Sequence, residues 1–241
     1  ALAAGEEILS IYETGDFSIE AKADDSPLTQ ADKAAHEKIM EFLEKTDYPV
    51  LSEEGRDIPY EERSQWGHFW MVDPLDGTKE FIKKNGEFTV NIALIRGNEP
   101  VLGVVYPPVI GDSYFAIKGE GAFVNNGEET KQLTTTQKKL NDSGVRVVAS
   151  RSHMSKETEV YLEKLDKPVI VSKGSSLKFL LVASGEADLY PRFGPTMEWD
   201  TAAAHVIVSE AGGKVTLADG STPLTYNKSD LLNPYFIVLP E

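Results

Sequence analysis

The spacing of apolar residues in the first third of the chain predicts helices and short buried strands. Between residues 27 and 45, apolar side chains recur every three to four positions, which predicts a helix that opens at Pro27 and Thr29. A strand over 68–72 is expected to end abruptly in a turn at Asp73. The other elements predicted here are a helix within residues 1–9, a strand over 48–52, a polar loop over 56–66 and a short helix from Thr78.

In the rest of the chain, the pattern of predicted strands and helices changes near Gly144. Before this residue, short apolar runs separated by glycine-containing turns predict an antiparallel meander, and after it strands and helices alternate. The predicted elements are strands over 88–95, 101–106, 114–117, 145–149, 168–171, 187–190 and 214–217, and helices over 155–165, 175–184 and 200–211. We therefore expect a layered α/β fold, with an N-terminal α+β half over 1–140 and a C-terminal α/β half over 141–241 that form one structural unit.

The composition is that of a globular protein with an acidic surface. Hydrophobic residues make up 41% of the 241 residues and charged residues 26%, and 24 basic against 39 acidic side chains leave a net charge of −15. This charge argues against nucleic acid as a partner, because nucleic-acid binding depends on neutralising phosphates. The absence of cysteine excludes disulfides, thiolate metal ligands and cysteine nucleophiles.

No apolar run is long enough for a membrane-spanning helix, and residues 1–9 lack the basic front and apolar centre of a signal peptide. These features favour a cytoplasmic location. Peripheral attachment to the inner membrane stays open as an alternative, although the acidic charge argues against electrostatic binding to anionic lipids. The sequence does not indicate the oligomeric state.

The segment from Asp73 to Thr78, with the sequence Asp-Pro-Leu-Asp-Gly-Thr, carries the strongest chemical signal. An apolar strand delivers two carboxylates into a turn in which Pro74 is stiff and Gly77 is free to adopt a left-handed backbone conformation. Two carboxylates this close repel each other unless a cation or proton lies between them, and oxygen ligands favour Mg²⁺, Ca²⁺ or Mn²⁺. The bare pattern also occurs in hydrogen-bonded turns at strand ends, so it does not decide by itself.

Three more carboxylates favour the metal hypothesis. Glu53 follows the strand over 48–52, and Asp200 stands just before an alanine-rich helix, where it is expected to act as the N-cap. Asp32 lies in the first turn of the helix over 27–45. Each also has an explanation without a metal. Glu53 can belong to an acidic surface turn, Asp200 can cap its helix, and Asp32 can interact favourably with the helix dipole. The four histidines are scattered, which argues against a zinc site.

Taken together, these motifs resemble the three signatures of the lithium-sensitive inositol monophosphatase superfamily. They occur in the same order, and the similarity runs over nearly the whole chain. Within this superfamily, the bisphosphate nucleotidase branch is the most similar, on the sequence of residues 73–90 (DPLDGTKEFIKKNGEFTV), on Gly-Ser-Ser-Leu-Lys-Phe at 174–179 and on Leu-Tyr-Pro-Arg-Phe-Gly-Pro at 189–195. The resemblance implies an αβαβα sandwich and a phosphatase that uses two or three Mg²⁺ ions and is inhibited by Li⁺.

The resemblance also implies a role for each matching residue. Asp32, Thr78 and Glu53 would be catalytic, with Asp32 and Thr78 orienting the attacking water. The implied metal ligands are Glu53, Asp73, the carbonyl of Leu75, Asp76 and Asp200. The implied substrate-binding residues are Asp76, Gly77, Thr78, Lys79, Gly174, Ser175, Ser176, Lys178, Arg192, Asp200 and His153, with Ser150 and Arg151 on the same loop as His153.

The expected reaction is hydrolysis of the 3′-phosphate of 3′-phosphoadenosine 5′-phosphate to AMP and phosphate, with the 5′-phosphosulfate as a second possible substrate. Inositol monophosphatase and sugar bisphosphatase activities are the alternatives within the superfamily. Arg192 and the Gly-Ser-Ser-Leu-Lys segment argue against both, because a cation at position 192 suits a second phosphate. An aspartyl-phosphate mechanism would require D-x-D spacing, whereas the spacing here is D-x-x-D. The non-enzyme alternative is a protein that binds phosphate without hydrolysing it.

Overall fold

The computed structural model describes residues 1–15, 17, 20–21, 27–149 and 154–241. Within these residues the helices are α1 (Leu2–Thr14), α2 (Gln30–Leu43), α3 (Tyr60–Arg63), α4 (Thr78–Ile82), α5 (Lys156–Leu162), α6 (Leu177–Ala183) and α7 (Glu198–Glu210). The strands are β1 (Glu20–Ala21), β2 (Pro27–Leu28), β3 (Val50–Ser52), β4 (His68–Asp76), β5 (Thr89–Arg96), β6 (Glu99–Tyr106), β7 (Ser113–Ile117), β8 (Gly121–Asn125), β9 (Thr130–Gln132), β10 (Arg146–Val148), β11 (Val169–Val171), β12 (Tyr190–Arg192), β13 (Gly213–Leu217) and β14 (Phe236–Pro240).

The larger sheet has the strand order β3-β4-β5-β6-β7-β8-β9. Strand β3 is parallel to β4 and every other pair is antiparallel, so the predicted meander is confirmed. Strands β8 and β9 extend it beyond the predicted strands. Helix α2 packs on β4 and α1 packs on α2, while α7 contacts β4 through β8.

A glycine sets how closely α7 approaches the sheet. A Cβ atom at Gly103 on β6 would lie 2.2 Å from the carbonyl oxygen of Ala203 on α7, which is shorter than any real contact. The neighbouring residues Ala202 and Ala204 are also buried. The alanine-rich sequence after Asp200 therefore lets the helix lie almost on the strand backbone, and this contact places the first turn of α7 beside the end of β4.

The smaller sheet lies on the other side of α6 and α7. Strand β14 is flanked by β12 and β13 in antiparallel pairs, while β10 pairs in parallel with β11. A bridge between Val147 and Leu189 joins the two groups of strands. Tyr161 and Leu162 of α5 pack against the far face of this sheet. The layers are therefore helix, sheet, helix, sheet and helix, as the resemblance implied.

Several predicted boundaries are wrong. Helix α2 begins at Gln30, because Pro27 and Leu28 pair with β1 and Thr29 is the extended N-cap residue. The predicted loop over 56–66 contains α3, and the strand predicted over 187–190 is found as β12 at Tyr190–Arg192. Strand β14 was not predicted, although its apolar run is continuous.

Strand β4 does not end at Asp73, which is a further correction. Asp73 pairs with Asn91 and Asp76 pairs with Thr89, with a register shift between the two pairs. Pro74 lies within this irregular segment, where its lack of an N–H group breaks no ladder hydrogen bond. The strand therefore continues to Asp76 through a bulge.

The residues behind this segment form an aromatic cluster. The ring centroids of Phe17 and Phe81 are 4.7 Å apart, those of Phe81 and Phe88 are 5.2 Å apart, and those of Tyr12 and Phe88 are 5.1 Å apart. Phe81 and Phe88 are fully buried. Because Phe81 belongs to α4, its packing in this cluster holds the helix in place and so fixes the position of Thr78 at the start of that helix.

None of the helices in the described part of the chain has the length and apolar composition needed to span a bilayer.

His205 on α7 is expected to make the fold sensitive to acid. Its Nδ1 lies 2.9 Å from the hydroxyl of Tyr226, and burial lowers the pKa of His205 to about 4, against a smaller opposing effect of Glu99. Because the unfolded chain takes up this proton near pH 6.5 and the folded protein does not, stability falls as the pH drops below 6.5 and the loss is complete below about 4. His205 as a residue is only partly buried, so we expect a loss of about 1–2 kcal/mol between pH 7 and pH 5.

The measurement is the free energy of unfolding in denaturant at the two pH values, for the wild type and for His205→Gln. Glutamine keeps a polar partner for Tyr226 and does not titrate, so the variant should lack this part of the loss. Equal losses in the two proteins would show that His205 does not control the acid sensitivity.

Candidate metal and phosphate site

Three carboxylates from distant parts of the chain meet at one end of the larger sheet. Glu53 follows β3, Asp73 lies near the end of β4, and Asp200 lies in the first turn of α7. Because β3 and β4 are parallel neighbours, their carboxyl ends lie side by side. One oxygen of each of the three side chains lies within 4.8 Å of the others. The structure therefore brings together three of the predicted metal ligands.

The carboxylates repel one another. Burial raises the pKa of Asp73 well above its usual value, and the charges of Glu53, Asp76 and Asp200 raise it further. Burial likewise raises the pKa of Asp200, with the charge of Asp76 as the next cause. A group of closely spaced oxygen ligands whose negative charges oppose one another is the donor set that a divalent cation such as Mg²⁺ neutralises. The residues present therefore fit the metal that the resemblance implies.

Asp200 is not the N-cap of its helix, which corrects that prediction. Helix α7 begins at Glu198, and the N-cap residue is Met197. The Oδ2 atom of Asp200 accepts a hydrogen bond of 2.9 Å from the backbone N–H of Met197. This bond holds one carboxylate oxygen against the backbone and leaves the other for a ligand, so the hydrogen bond to Met197 and metal binding are compatible.

Asp32 and Thr78, which are far apart in the sequence, form a direct pair. The hydroxyl of Thr78 lies 3.1 Å from Oδ1 of Asp32 and 3.3 Å from the carbonyl oxygen of Leu75. The other oxygen of Asp32 accepts hydrogen bonds from the N–H and the hydroxyl of Thr29, at 2.7 and 2.6 Å. Asp32 is buried, and these bonds fix its orientation. The pair has the geometry for passing a proton from Thr78 toward Asp32.

Asp76 lies beside the three clustered carboxylates and is bound to the loop before α6. Its Oδ2 atom lies 2.6 Å from the hydroxyl of Ser175, 2.6 Å from the backbone nitrogen of Ser176 and 2.9 Å from the hydroxyl of Ser176. Gly77 has a φ of +97°, so the left-handed conformation predicted for it is confirmed. A Cβ atom there would also approach the carbonyl oxygen of Glu87 at 3.1 Å.

A cavity of about 470 Å³ opens next to Asp76 and Asp200. The predicted substrate-binding residues that line it are Asp76, Gly77, Gly174, Ser175, Ser176, Lys178, Arg192 and Asp200. Thr78 and Lys79 are not part of its lining, and Lys79 is exposed on α4. His153, with Ser150 and Arg151, lies outside the described residues.

Basic side chains, among them Lys178 and Arg192, line the cavity, although the chain has a net charge of −15. Lys178 donates a hydrogen bond of 2.9 Å to the carbonyl oxygen of Ser175, and its Nζ lies 5.8 Å from the ring centre of Tyr190. Arg192 donates from Nη2 to the carbonyl oxygen of Pro195 at 2.8 Å, while its Nε is buried and has no hydrogen-bond partner among the described residues. Because a guanidinium has five N–H groups, others remain for a ligand in the cavity.

The sequence analysis missed Lys83, Asn85, Glu87 and Lys173, which also line the cavity. Oε2 of Glu87 accepts a hydrogen bond of 2.7 Å from the N–H of Gly174, and Oε1 lies 3.4 Å from Nζ of Lys173. Glu87 thus ties the segment after α4 to the loop before α6. The position of Lys173 beside the Gly-Ser-Ser segment was the only sequence signal for this group.

A family model described as the inositol monophosphatase family matches residues 1–235. The chain belongs to this family. It is 48% identical to the 3′(2′),5′-bisphosphate nucleotidase CysQ of Escherichia coli strain K12, over 98% of this chain and 94% of that protein. It is 38% identical to CysQ of Haemophilus influenzae, over 92% of this chain and 83% of the relative.

The fold of the family is also found in solved structures. The crystal structure of CysQ from Bacteroides thetaiotaomicron, a bacterial member of the inositol monophosphatase family, matches with a TM-score of 0.88 and 49% identity, covering 100% of this chain and 94% of that one. The suhB protein of Bartonella henselae matches with a TM-score of 0.78 and 26% identity, covering 100% and 91%. The predicted αβαβα fold is confirmed.

Proposed function

We propose that this protein is a Mg²⁺-dependent 3′(2′),5′-bisphosphate nucleotidase that converts 3′-phosphoadenosine 5′-phosphate to AMP and phosphate. The observation that carries the proposal is the position of three clustered carboxylates beside a cavity lined by Lys178 and Arg192. The carboxylate end of this site would hold metal ions that bind one phosphate. The end with Lys178 and Arg192 would bind a second phosphate directly. The similarity to CysQ proteins over nearly the whole chain supports the same activity.

Glu53, Asp73 and Asp200 would hold the metal ions, joined by Asp76 and the carbonyl of Leu75. When bound, Mg²⁺ polarises the phosphoryl oxygens and lowers the pKa of a bound water. The buried position of Asp73 keeps bulk water from screening these charges. The proposed site takes two or three ions, which a calorimetric titration counts.

Thr78 and Asp32 would orient the attacking water. When the hydroxyl of Thr78 donates to Asp32, its oxygen lone pairs remain free to accept a hydrogen bond from water. A proton that leaves the water can then pass to Thr78 while the Thr78 proton passes to Asp32. Glu53 would act as the third catalytic residue through its contact with the metal.

The substrate would lie in the cavity with its scissile phosphate toward Gly77 and Thr78 and its 5′-phosphate toward Lys178 and Arg192. Arginine binds a phosphate with two parallel hydrogen bonds, which a single hydroxyl of an inositol ring would not use. Lys79, Gly174, Ser175 and His153 complete the proposed binding set. The 5′-phosphosulfate, which carries an anionic group at the same position, would bind in the same way.

The test is release of phosphate by the purified protein, with Mg²⁺ and with EDTA, in the presence and absence of Li⁺. The substrates are 3′-phosphoadenosine 5′-phosphate, its 5′-phosphosulfate and inositol 1-phosphate. We expect Mg²⁺-dependent, Li⁺-sensitive release from the nucleotides, at least about 100-fold faster than from inositol 1-phosphate, which corresponds to about 2.7 kcal/mol of binding to the second anion.

Activity that persists in EDTA would exclude the metal mechanism. A preference for inositol 1-phosphate would keep the metal site and overturn the role of Arg192. Titrating Mg²⁺ into the metal-free protein in a calorimeter counts the ions.

A further inference from the structure

The hydroxyl of Ser176 is directed into the protein. Ser176 is 2% exposed, although it belongs to the loop that borders the cavity. Its Oγ lies 2.9 Å from Oδ2 of Asp76 and 2.8 Å from the backbone carbonyl oxygen of Asp200. The Nδ2 atom of Asn91, on β5, lies 2.9 Å from the same Oγ. One buried hydroxyl therefore contacts two residues of the proposed metal site.

The directions of these hydrogen bonds follow from the donors present. The Nδ2 group of Asn91 can only donate, so Ser176 accepts from it and directs its own proton to Asp76 or to the carbonyl of Asp200. The hydroxyl of Thr89 lies 3.1 Å from Oδ1 of Asn91, which fixes the orientation of the amide. Asn91 is 1% exposed, so water does not compete for these groups.

This arrangement determines which oxygen of Asp76 is available. Oδ2 is surrounded by the backbone N–H of Ser176 and the hydroxyls of Ser175 and Ser176, with the hydroxyl of Thr89 farther away at 3.5 Å. Oδ1 is therefore the atom that would bind a metal ion. Since the same Ser176 hydroxyl also contacts the backbone of Asp200, it sets the spacing between two residues that would share a metal ion.

We propose that Ser176, held by Asn91, is a positioning residue that orients Asp76 relative to Asp200 and so determines metal affinity, rather than a residue that contacts the substrate. This inference rests on the proposed metal-dependent hydrolysis. Hydrogen-bond partners of metal ligands change metal affinity by about 10- to 100-fold when they are removed. The role differs from the substrate contact that the sequence implied for Ser176.

The experiment measures binding of Mn²⁺, as a spectroscopic substitute for Mg²⁺, to the full chain by electron paramagnetic resonance. It compares the wild type, Ser176→Ala and Ser184→Ala. Ser184 is the matched control, because it lies at the other end of α6 and its hydroxyl, among the described residues, contacts only Leu181 and Glu186. We expect Ser176→Ala to bind Mn²⁺ about 10-fold more weakly. The control should match the wild type.

Steady-state kinetics at saturating Mg²⁺ separate positioning from substrate contact. For Ser176→Ala we expect a KM for the bisphosphonucleotide within about 2-fold of the wild type, because the lost hydroxyl does not touch the substrate. Ser176→Thr, which keeps the hydroxyl, should restore most of the metal affinity. Unchanged Mn²⁺ affinity with a raised KM would overturn the inference and return Ser176 to substrate binding.

Asn91→Ala provides a second variant, with the melting temperature as a check on folding. It should weaken Mn²⁺ binding in the same direction, and adding it to Ser176→Ala should cause little further loss, since both act through one hydroxyl. Additive losses would overturn the coupling. A wild-type protein that binds no Mn²⁺ would overturn the proposed function as well, whereas equal binding by the wild type and Ser176→Ala overturns this inference alone.

Discussion

Asp73→Asn is expected to lower kcat/KM for the bisphosphonucleotide by at least about 1000-fold. Asp73 is buried and lies beside Glu53 and Asp200, so the substitution removes the carboxylate that would share a metal ion with both neighbours. Metal ions contribute several kcal/mol of charge stabilisation to phosphoryl transfer, and about 4 kcal/mol corresponds to a 1000-fold change in rate. The measurement is steady-state phosphate release over a range of Mg²⁺ concentrations.

The same variant should have the opposite effect on the stability of the metal-free protein. Burial and the charges of its neighbours raise the pKa of Asp73, so they disfavour its ionised form in the metal-free protein. A neutral amide removes this repulsion. We therefore expect a higher melting temperature than the wild type in EDTA and a lower one in saturating Mg²⁺, because the variant gains less from binding the metal.

Asp47→Asn is the matched control for this prediction. Asp47 is an exposed aspartate in the turn between α2 and β3, away from the clustered carboxylates. Its substitution should change neither activity nor the response to Mg²⁺. If Asp73→Asn kept activity within about 10-fold, or gained as much stability from Mg²⁺ as the wild type does, the carboxylate cluster would not be the metal site.

Arg192→Leu should discriminate between two substrates that differ by one phosphate. For 3′-phosphoadenosine 5′-phosphate we expect kcat/KM to fall about 100-fold, whereas for adenosine 3′-phosphate, which lacks the 5′-phosphate, it should change by less than about 3-fold. The reason is that a charge-assisted hydrogen bond contributes about 1.5–3 kcal/mol, and within the described residues the side chain of Arg192 donates only from Nη2, to the carbonyl oxygen of Pro195. The readout is the ratio of kcat/KM for the two nucleotides.

Two further variants sharpen this test. Arg192→Lys keeps the charge but loses the planar fork, so it should fall between the wild type and Arg192→Leu. Arg96→Leu removes an exposed arginine at the end of β5 and should leave the ratio unchanged. An equal loss for both nucleotides in Arg192→Leu would mean that Arg192 acts on the scissile phosphate or on the shape of the site, and the proposed substrate preference would be wrong.

The candidate residues of the site could be picked out in the sequence because their signals are local. Asp73, Pro74 and Gly77 lie within one short segment whose residue types limit the backbone, and the left-handed conformation of Gly77 follows from its lack of a side chain. Helix α2 was predicted for similar reasons, although the competing pairing of Pro27 and Leu28 moved its start to Gln30. The roles implied for individual residues stay predictions until the variants are measured.

Predictions failed where a residue's environment depends on distant segments. Strands β8 and β9 are short and partly polar, and they form because β7 offers an open edge. The lining residues Lys83 and Lys173 lie on separate segments with no shared pattern, and only the fold brings them to one cavity. Their role was therefore not visible in the sequence.

The sequence by itself determined the alternation of strands and helices and pointed to the carboxylates proposed as metal ligands, because hydrophobic spacing and short motifs depend on residue type and local order. The tertiary structure decided which of these groups meet. It brought Asp32 within 3.1 Å of the Thr78 hydroxyl, placed α7 against β6 through Gly103, and directed the Ser176 hydroxyl inward to Asp76 rather than outward to the cavity. Such contacts depend on the relative placement of segments that are far apart in the chain, which local spacing does not encode.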